Sequence, residues 1–252
     1  MIKLKSNVIT KLVIVFLSFI MLFSIFIIAK SYLSSNTHES KYEDFVNKNW
    51  TSYGDSITYL NSWQPYVCNN FPDLDHTNLG INGTTIAHIP SLEKILPCFI
   101  NETRLNNVKA SNPDIITILG GTNDCAHQVA IGDDSEFSKP MDEKNKTTFK
   151  GAYSFLIETL LEWKPSLTIV LITTIHSPYD SIFSIKLADY AKATIDVAKY
   201  YSLPCIDVFG KSGINLSNIY EYTYDGIHPN DAGGQIIAGM VIKEFDSLLV
   251  NN

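Results

Sequence analysis

The chain has 252 residues, 45% of them apolar and 18% charged, with a formal net charge of −7. This is enough apolar material for one sizeable core and too much for a disordered chain. The acidic residues are dispersed, and no run of Lys and Arg interleaved with aromatics offers a phosphate backbone a stripe to bind, so nucleic acid is not expected as a partner.

In chain order, Lys3, Lys5 and Lys11 precede an uncharged apolar stretch over residues 12–29 (LVIVFLSFIMLFSIFIIA). A membrane-crossing helix needs roughly 17 to 25 apolar residues, whereas a cleavable signal core has about 7 to 15, so this stretch reads as an anchor. The lysines before it predict an N-terminus inside and the remainder outside the membrane. Ala29-Lys30-Ser31 is a weak cleavage site, and its use would instead release the domain. The expected division is a short cytoplasmic N-terminus (1–11), a transmembrane signal anchor (12–30), a polar stalk (31–47) and one domain (48–252).

From residue 48 the pattern alternates strand and helix. Residues 49–53 read as a short first strand, 114–120 and 167–174 as β-branched strands apolar on both parities, and 203–209 as a weaker one. Residues 149–164, 184–201 and 232–249 carry helical spacing, and Pro165 stops the first of these. Strand and helix in series predict right-handed crossovers and a three-layer α/β/α sandwich with a mainly parallel sheet. Ligand sites in such sheets lie outside the carboxyl ends of the strands.

Four cysteines, Cys68, Cys98, Cys125 and Cys205, lack metal spacing. Cys68 and Cys98 fall in the same inter-strand region, which allows a bridge, and Cys205 reads as core. Asn-x-Ser/Thr sequons begin at Asn49, Asn82, Asn101, Asn145 and Asn215, a number that a chain this rich in Asn, Ser and Thr produces by chance.

Chemistry-bearing residues gather at strand ends. The first strand runs into Gly54-Asp55-Ser56, where Gly54 permits a tight turn; taken alone, Ser56 is a helix cap. Near the C-terminus, Tyr224-Asp225-Gly226-Ile227-His228-Pro229-Asn230 places a carboxylate and an imidazole in one turn before the last helix. A serine nucleophile needs a base, and the base needs an acceptor that fixes its tautomer, which Asp225 and His228 together provide. Gly120-Gly121-Thr122-Asn123-Asp124 puts the Asn123 amide at another strand end, where it can donate to an oxyanion. Asn78-Leu79-Gly80-Ile81-Asn82-Gly83-Thr84-Thr85 offers a glycine N–H at the end of a second strand. For Asn123, Asp225 and His228, an Asx turn and a capping Asp beside an idle His are the bland alternatives.

Together, GDS with a following Thr, NxGxxGxT, GGTND and DGIHPN resemble the block pattern of the SGNH (GDSL-type) hydrolase superfamily, over about residues 49–249. That resemblance implies a flavodoxin-like sheet, no metal and no organic cofactor. It also implies a catalytic triad of Ser56, His228 and Asp225, with an oxyanion hole formed by the Ser56 and Gly83 N–H groups and the Asn123 amide. The expected activity is ester hydrolysis of short-chain or carbohydrate O-acetyl groups. The alternatives are a lipase or thioesterase acting on longer chains, and a non-catalytic glycan-binding protein on the same fold. The expected partners are a small-molecule or glycan ester and, through the N-terminal helix, a membrane. Two departures from the family pattern carry expectations of their own. Tyr53, where an aliphatic residue is usual, would narrow the entrance, and the Asp- and Lys-rich residues 126–148 would form part of the substrate rim. His127 and Cys125 read as a loop residue and a half-buried thiol.

Overall fold

The computed structural model describes residues 47–250, together with Met21 and Ser24. Apart from Met21, Ser24 and Asn47, the apolar stretch expected to be an anchor and the stalk lie outside the described residues, among which no helix is long and apolar enough to cross a membrane. Five strands form one sheet: β1 (Asn49–Gly54), β2 (Asp75–Gly80), β3 (Ile115–Leu119), β4 (Thr168–Ile172) and β5 (Cys205–Ile206). They are ordered β2-β1-β3-β4-β5 and every pairing is parallel, the flavodoxin-like order. The helices are α1 (Ser56–Tyr59), α2 (Gln64–Asn70), α3 (Glu102–Ser111), α4 (Thr122–Ala126), α5 (Phe149–Trp163), α6 (Leu187–Tyr200), α7 (Val208–Lys211), α8 (Ile219–Tyr222) and α9 (Asp231–Val250). Three short 3₁₀ turns accompany them, Asp134–Ser138, Met141–Glu143 and Pro178–Ile182.

Successive side chains of a strand point to opposite faces, and here both faces are buried. Trp50 on β1 lies beside Trp63 (5.7 Å between ring centroids) and edge-on to Phe245 of α9 (5.5 Å). Its indole N–H donates to Thr117 Oγ1 across the sheet at 3.0 Å. Phe71 approaches Phe245 at 5.9 Å, so α2 and α9 cover this face. On the other face Tyr53, Ile116, Ile118, Ile169 and Leu171 join the apolar sides of α3, α5 and α6 in one core. The two covered faces make the three layers, as the alternation of strand and helix predicts.

β5 is shorter than the sequence pattern predicts, pairing only through Cys205 and Ile206. Pro204 has no N–H to give to a ladder, and Asp207 already caps α7 by accepting from the Gly210 N–H at 2.8 Å. The turn from β1 into α1 depends on Gly54. A Cβ there would sit 2.1 Å from Thr58 Oγ1 and 2.8 Å from the Leu119 carbonyl oxygen.

One expectation is corrected. All four cysteines are free, so Cys68 and Cys98 form no bridge. Residues 126–148 are held mainly against α5 and α6. Lys144 is buried and pairs with Glu158 of α5 at 2.9 Å, and Lys150 bridges Asp134 and Asp196 of α6. The buried Glu136 accepts from the Asn145 N–H at 2.8 Å and pairs with Lys139. Within the segment Glu136 and Lys144 are buried, the lysine stem covering apolar surface, while Asp133, Asp134, Asp142 and Glu143 stay exposed.

Candidate active site

Ser56 opens α1 just beyond the carboxyl end of β1. Asp55 caps this helix, its Oδ1 accepting from the Ile57 N–H at 3.0 Å. The cap directs the Ser56 side chain toward the loop between α8 and α9, which carries the base. Ser56 Oγ lies 2.9 Å from His228 Nε2, and His228 Nδ1 lies 2.7 Å from Asp225 Oδ2. With Nδ1–H donating to Asp225, Nε2 is free to accept the serine proton. Asp225 is itself fixed, because its Oδ1 accepts from the N–H groups of Ile227 (3.0 Å) and His228 (2.8 Å). Partial burial alone would raise the Asp225 pKa; the backbone and ring hydrogen bonds from His228 and the bond from Ile227 outweigh it and hold the carboxyl below its ordinary range. Gly226, at φ +85, supplies the left-handed step that folds His228 back over Asp225.

Gly83 sits in the turn after β2 at φ +73, and Asn123 in the first turn of α4. Asn123 Nδ2 donates to the Thr84 carbonyl oxygen at 3.0 Å and lies 3.5 Å from Asp55 Oδ2. Among the described residues the N–H groups of Ser56 and Gly83 have no hydrogen-bond partner. The structure thus brings all five sequence-predicted site residues to neighbouring strand and loop ends on one side of the sheet. Among the described residues no cluster of His, Cys, Asp or Glu could hold a metal ion.

Several residues around the site were not read from the sequence. Asp124 is fully buried, and its two oxygens accept from the N–H groups of Ile86 and Ala87, each at 3.0 Å. Burial raises its pKa to about 6 and, with repulsion from Asp124 adding to burial, raises that of Asp55 to about 7. Asn78 Nδ2 donates to the Thr58 carbonyl at 2.8 Å and its Oδ1 accepts from the Gly80 N–H at 2.9 Å, joining α1 to the end of β2. Tyr53 corrects the sequence reading. It does not narrow an entrance but is buried under α3, with its hydroxyl donating to the Phe99 carbonyl and its ring 4.4 Å from the Arg104 guanidinium. Strand parity decides this, since Tyr53 shares a face with Ile118, its register partner on β3. Cys125 is buried, with its sulfur 3.4 Å from the Ile185 carbonyl oxygen. His127 ends α4. Neither is hydrogen-bonded to Ser56, Asp225 or His228.

Residues 52–236 match the model of the GDSL-like lipase/acylhydrolase family. That is most of the domain and more than half of the 252-residue chain, and the protein belongs to this family. It is a carboxylic ester hydrolase. Solved structures share the fold. One is a possible lipase from Chitinophaga pinensis (TM-score 0.61, 21% identity, covering 80% of this chain and 99% of that one). A protein from Lactobacillus plantarum superposes with a TM-score of 0.67 at 23% identity, covering 79% of this chain and 97% of its own. An acetylxylan esterase from Geobacillus stearothermophilus, solved as a catalytic mutant, gives a TM-score of 0.55 at 20% identity, over 79% of this chain and 94% of its own. No curated protein matches the chain.

Proposed function

We propose that this protein hydrolyses short-chain esters, in particular O-acetyl groups on carbohydrate, with Ser56 as nucleophile. The observation that carries the reading is the unbroken hydrogen-bonded series from Ser56 Oγ through His228 to Asp225, at 2.9 and 2.7 Å. His228 Nε2 takes the Oγ proton as the oxygen attacks the ester carbonyl, and Asp225 fixes the tautomer and stabilises the imidazolium that forms. The developing oxyanion is received by the N–H groups of Ser56 and Gly83 and by the Asn123 amide. His228 then gives its proton to the departing alkoxide. Water, deprotonated by the same imidazole, releases the acyl group and restores Ser56.

The carbohydrate part of the reading draws on likeness to the acetylxylan esterase, in which changes of a serine and of a histidine to alanine each give a catalytic mutant. The likeness to a possible lipase supports a second reading, hydrolysis of longer acyl chains. Initial rates on acetylated xylooligosaccharides against medium-chain lipid esters separate the two; a higher kcat/KM on the lipid esters would overturn the first. The anchor expected over residues 12–30, with the domain outside the cytoplasm, places the enzyme beside surface glycans. Fractionation of cells making the full chain tests that placement, and a cytosolic product would overturn it.

A further inference from the structure

Arg104 on α3 is 2% exposed, yet no carboxylate among the described residues accepts a hydrogen bond from it. Its acceptors are neutral and belong to three separate stretches of chain. Nη2 donates to the carbonyl oxygens of Gly54 (2.9 Å) and Leu79 (3.2 Å). Nη1 donates to Thr84 Oγ1 (2.9 Å) and reaches the Pro97 carbonyl (3.5 Å). The guanidinium lies between two aromatic rings, 4.4 Å from the centroid of Tyr53 and 4.6 Å from that of Phe99.

Burying the cation is costly, and the charge of Asp55, which acts on it without a hydrogen bond, offsets this only in part. What the guanidinium does is join strand ends. Gly54 stands two residues before Ser56, and its carbonyl also accepts from the Ile81 N–H at 3.0 Å. Thr84 follows Gly83, its hydroxyl donates to the Ile81 carbonyl at 2.8 Å, and its own carbonyl accepts from the Asn123 amide at 3.0 Å. Each of the three groups assigned above to the oxyanion is therefore within two residues of an Arg104 contact, or hydrogen-bonded to a residue that makes one.

We infer that Arg104 is a positioning residue that sets the mutual spacing of the three oxyanion donors from behind, with the planar fork of its guanidinium as the gauge. It touches no reacting atom. The inference rests on the oxyanion reading of Ser56, Gly83 and Asn123. Lysine cannot replace it, because a single ammonium does not span Gly54, Leu79 and Thr84 in one plane.

The test is steady-state hydrolysis of 4-nitrophenyl acetate by Arg104→Met and Arg104→Lys, well below the melting temperature of each, with fluorophosphonate labelling alongside. Misplaced donors lower kcat by about tenfold to a hundredfold. KM is expected to stay within about threefold, and labelling to go more slowly but still to completion, showing an intact triad in every molecule. Unchanged kcat in Arg104→Met overturns the inference, as does full recovery in Arg104→Lys or a loss seen only as incomplete labelling. Should Arg104→Met not fold, Thr84→Val and Thr84→Ser decide. Valine removes the hydroxyl and should lower kcat, and serine should restore most of it; equal kcat in the two overturns the inference. If Asn123→Ala leaves kcat intact, the oxyanion reading has failed. If Ser56→Ala and Asn123→Ala are impaired while the Arg104 variants are not, only this inference has.

Discussion

Asn123 donates its side-chain amide to the Thr84 carbonyl oxygen at 3.0 Å, so the loop that carries Gly83 holds the proposed third oxyanion donor in place before any ester binds. A donor already ordered has little reorganisation left to make in the transition state. Asn123→Ala should therefore lower kcat by about a hundredfold or more and leave KM nearly unchanged. A change confined to KM in steady-state hydrolysis would place Asn123 in substrate binding instead.

Asp225 is held below the ordinary carboxylate range by its hydrogen bonds from His228 and Ile227. It stays ionised while His228 takes the serine proton, so protonation of Asp225 should not set the acid limb of the pH–rate profile. Asp225→Asn keeps the shape but favours the wrong imidazole tautomer, and kcat should drop by about a thousandfold to ten-thousandfold. A pH–rate profile whose acid limb follows carboxylate protonation would contradict this.

His76, remote from the triad, makes stability depend on pH. It lies over Trp50 at 4.1 Å between centroids and hydrogen-bonds Ser52 Oγ at 2.9 Å. Burial pushes its pKa down to about 4 from an ordinary 6.5. Between those values the unfolded chain binds a proton that the folded one refuses, so acidification through this window costs up to about 1.4 kcal/mol per pH unit. Asp55 and Asp124, raised to about 7 and about 6, act in the opposite sense, losing stability as pH rises from the ordinary carboxylate range toward those values. His76→Phe should remove the first contribution alone. Its urea midpoint relative to wild type should improve between pH 7.5 and 4.5, and a constant difference would refute the assignment.

Gly54→Ala puts a methyl group 2.1 Å from Thr58 Oγ1 and 2.8 Å from the Leu119 carbonyl. The turn into α1 must then open, at about 2–3 kcal/mol. Thermal unfolding should shift down by roughly 5–10 °C, with kcat falling as Ser56 moves from His228. An unchanged melting temperature would mean that the turn has slack.

The elements with a clean periodicity were legible in the sequence. β1, β3, β4, α5, α6 and α9 fall within a few residues of where their patterns place them. β2 carries no apolar run, because as an edge strand it pairs only with β1 and its side chains are not enclosed. The candidate site was legible because Asp225 and His228 share one turn and the blocks of Ser56, Gly83 and Asn123 follow β1, β2 and β3. Arg104 was not, since its partners lie 7 to 50 residues away and all but the Thr84 hydroxyl are backbone carbonyls, which leave no mark on side-chain pattern. Tyr53 was assigned to the wrong surroundings because its residue type was weighed without its strand parity. In residues 126–148 residue type did not separate the buried Glu136 and Lys144 from the exposed Asp133, Asp142 and Glu143.

Ser56 carries the proposed reaction. On reaction with a fluorophosphonate probe, the wild-type protein should gain one adduct, located by peptide mass on Ser56. Ser56→Ala should take up none and lose at least about a thousandfold in kcat on 4-nitrophenyl acetate. Near-wild-type turnover in Ser56→Ala, or an adduct on another residue, would contradict it.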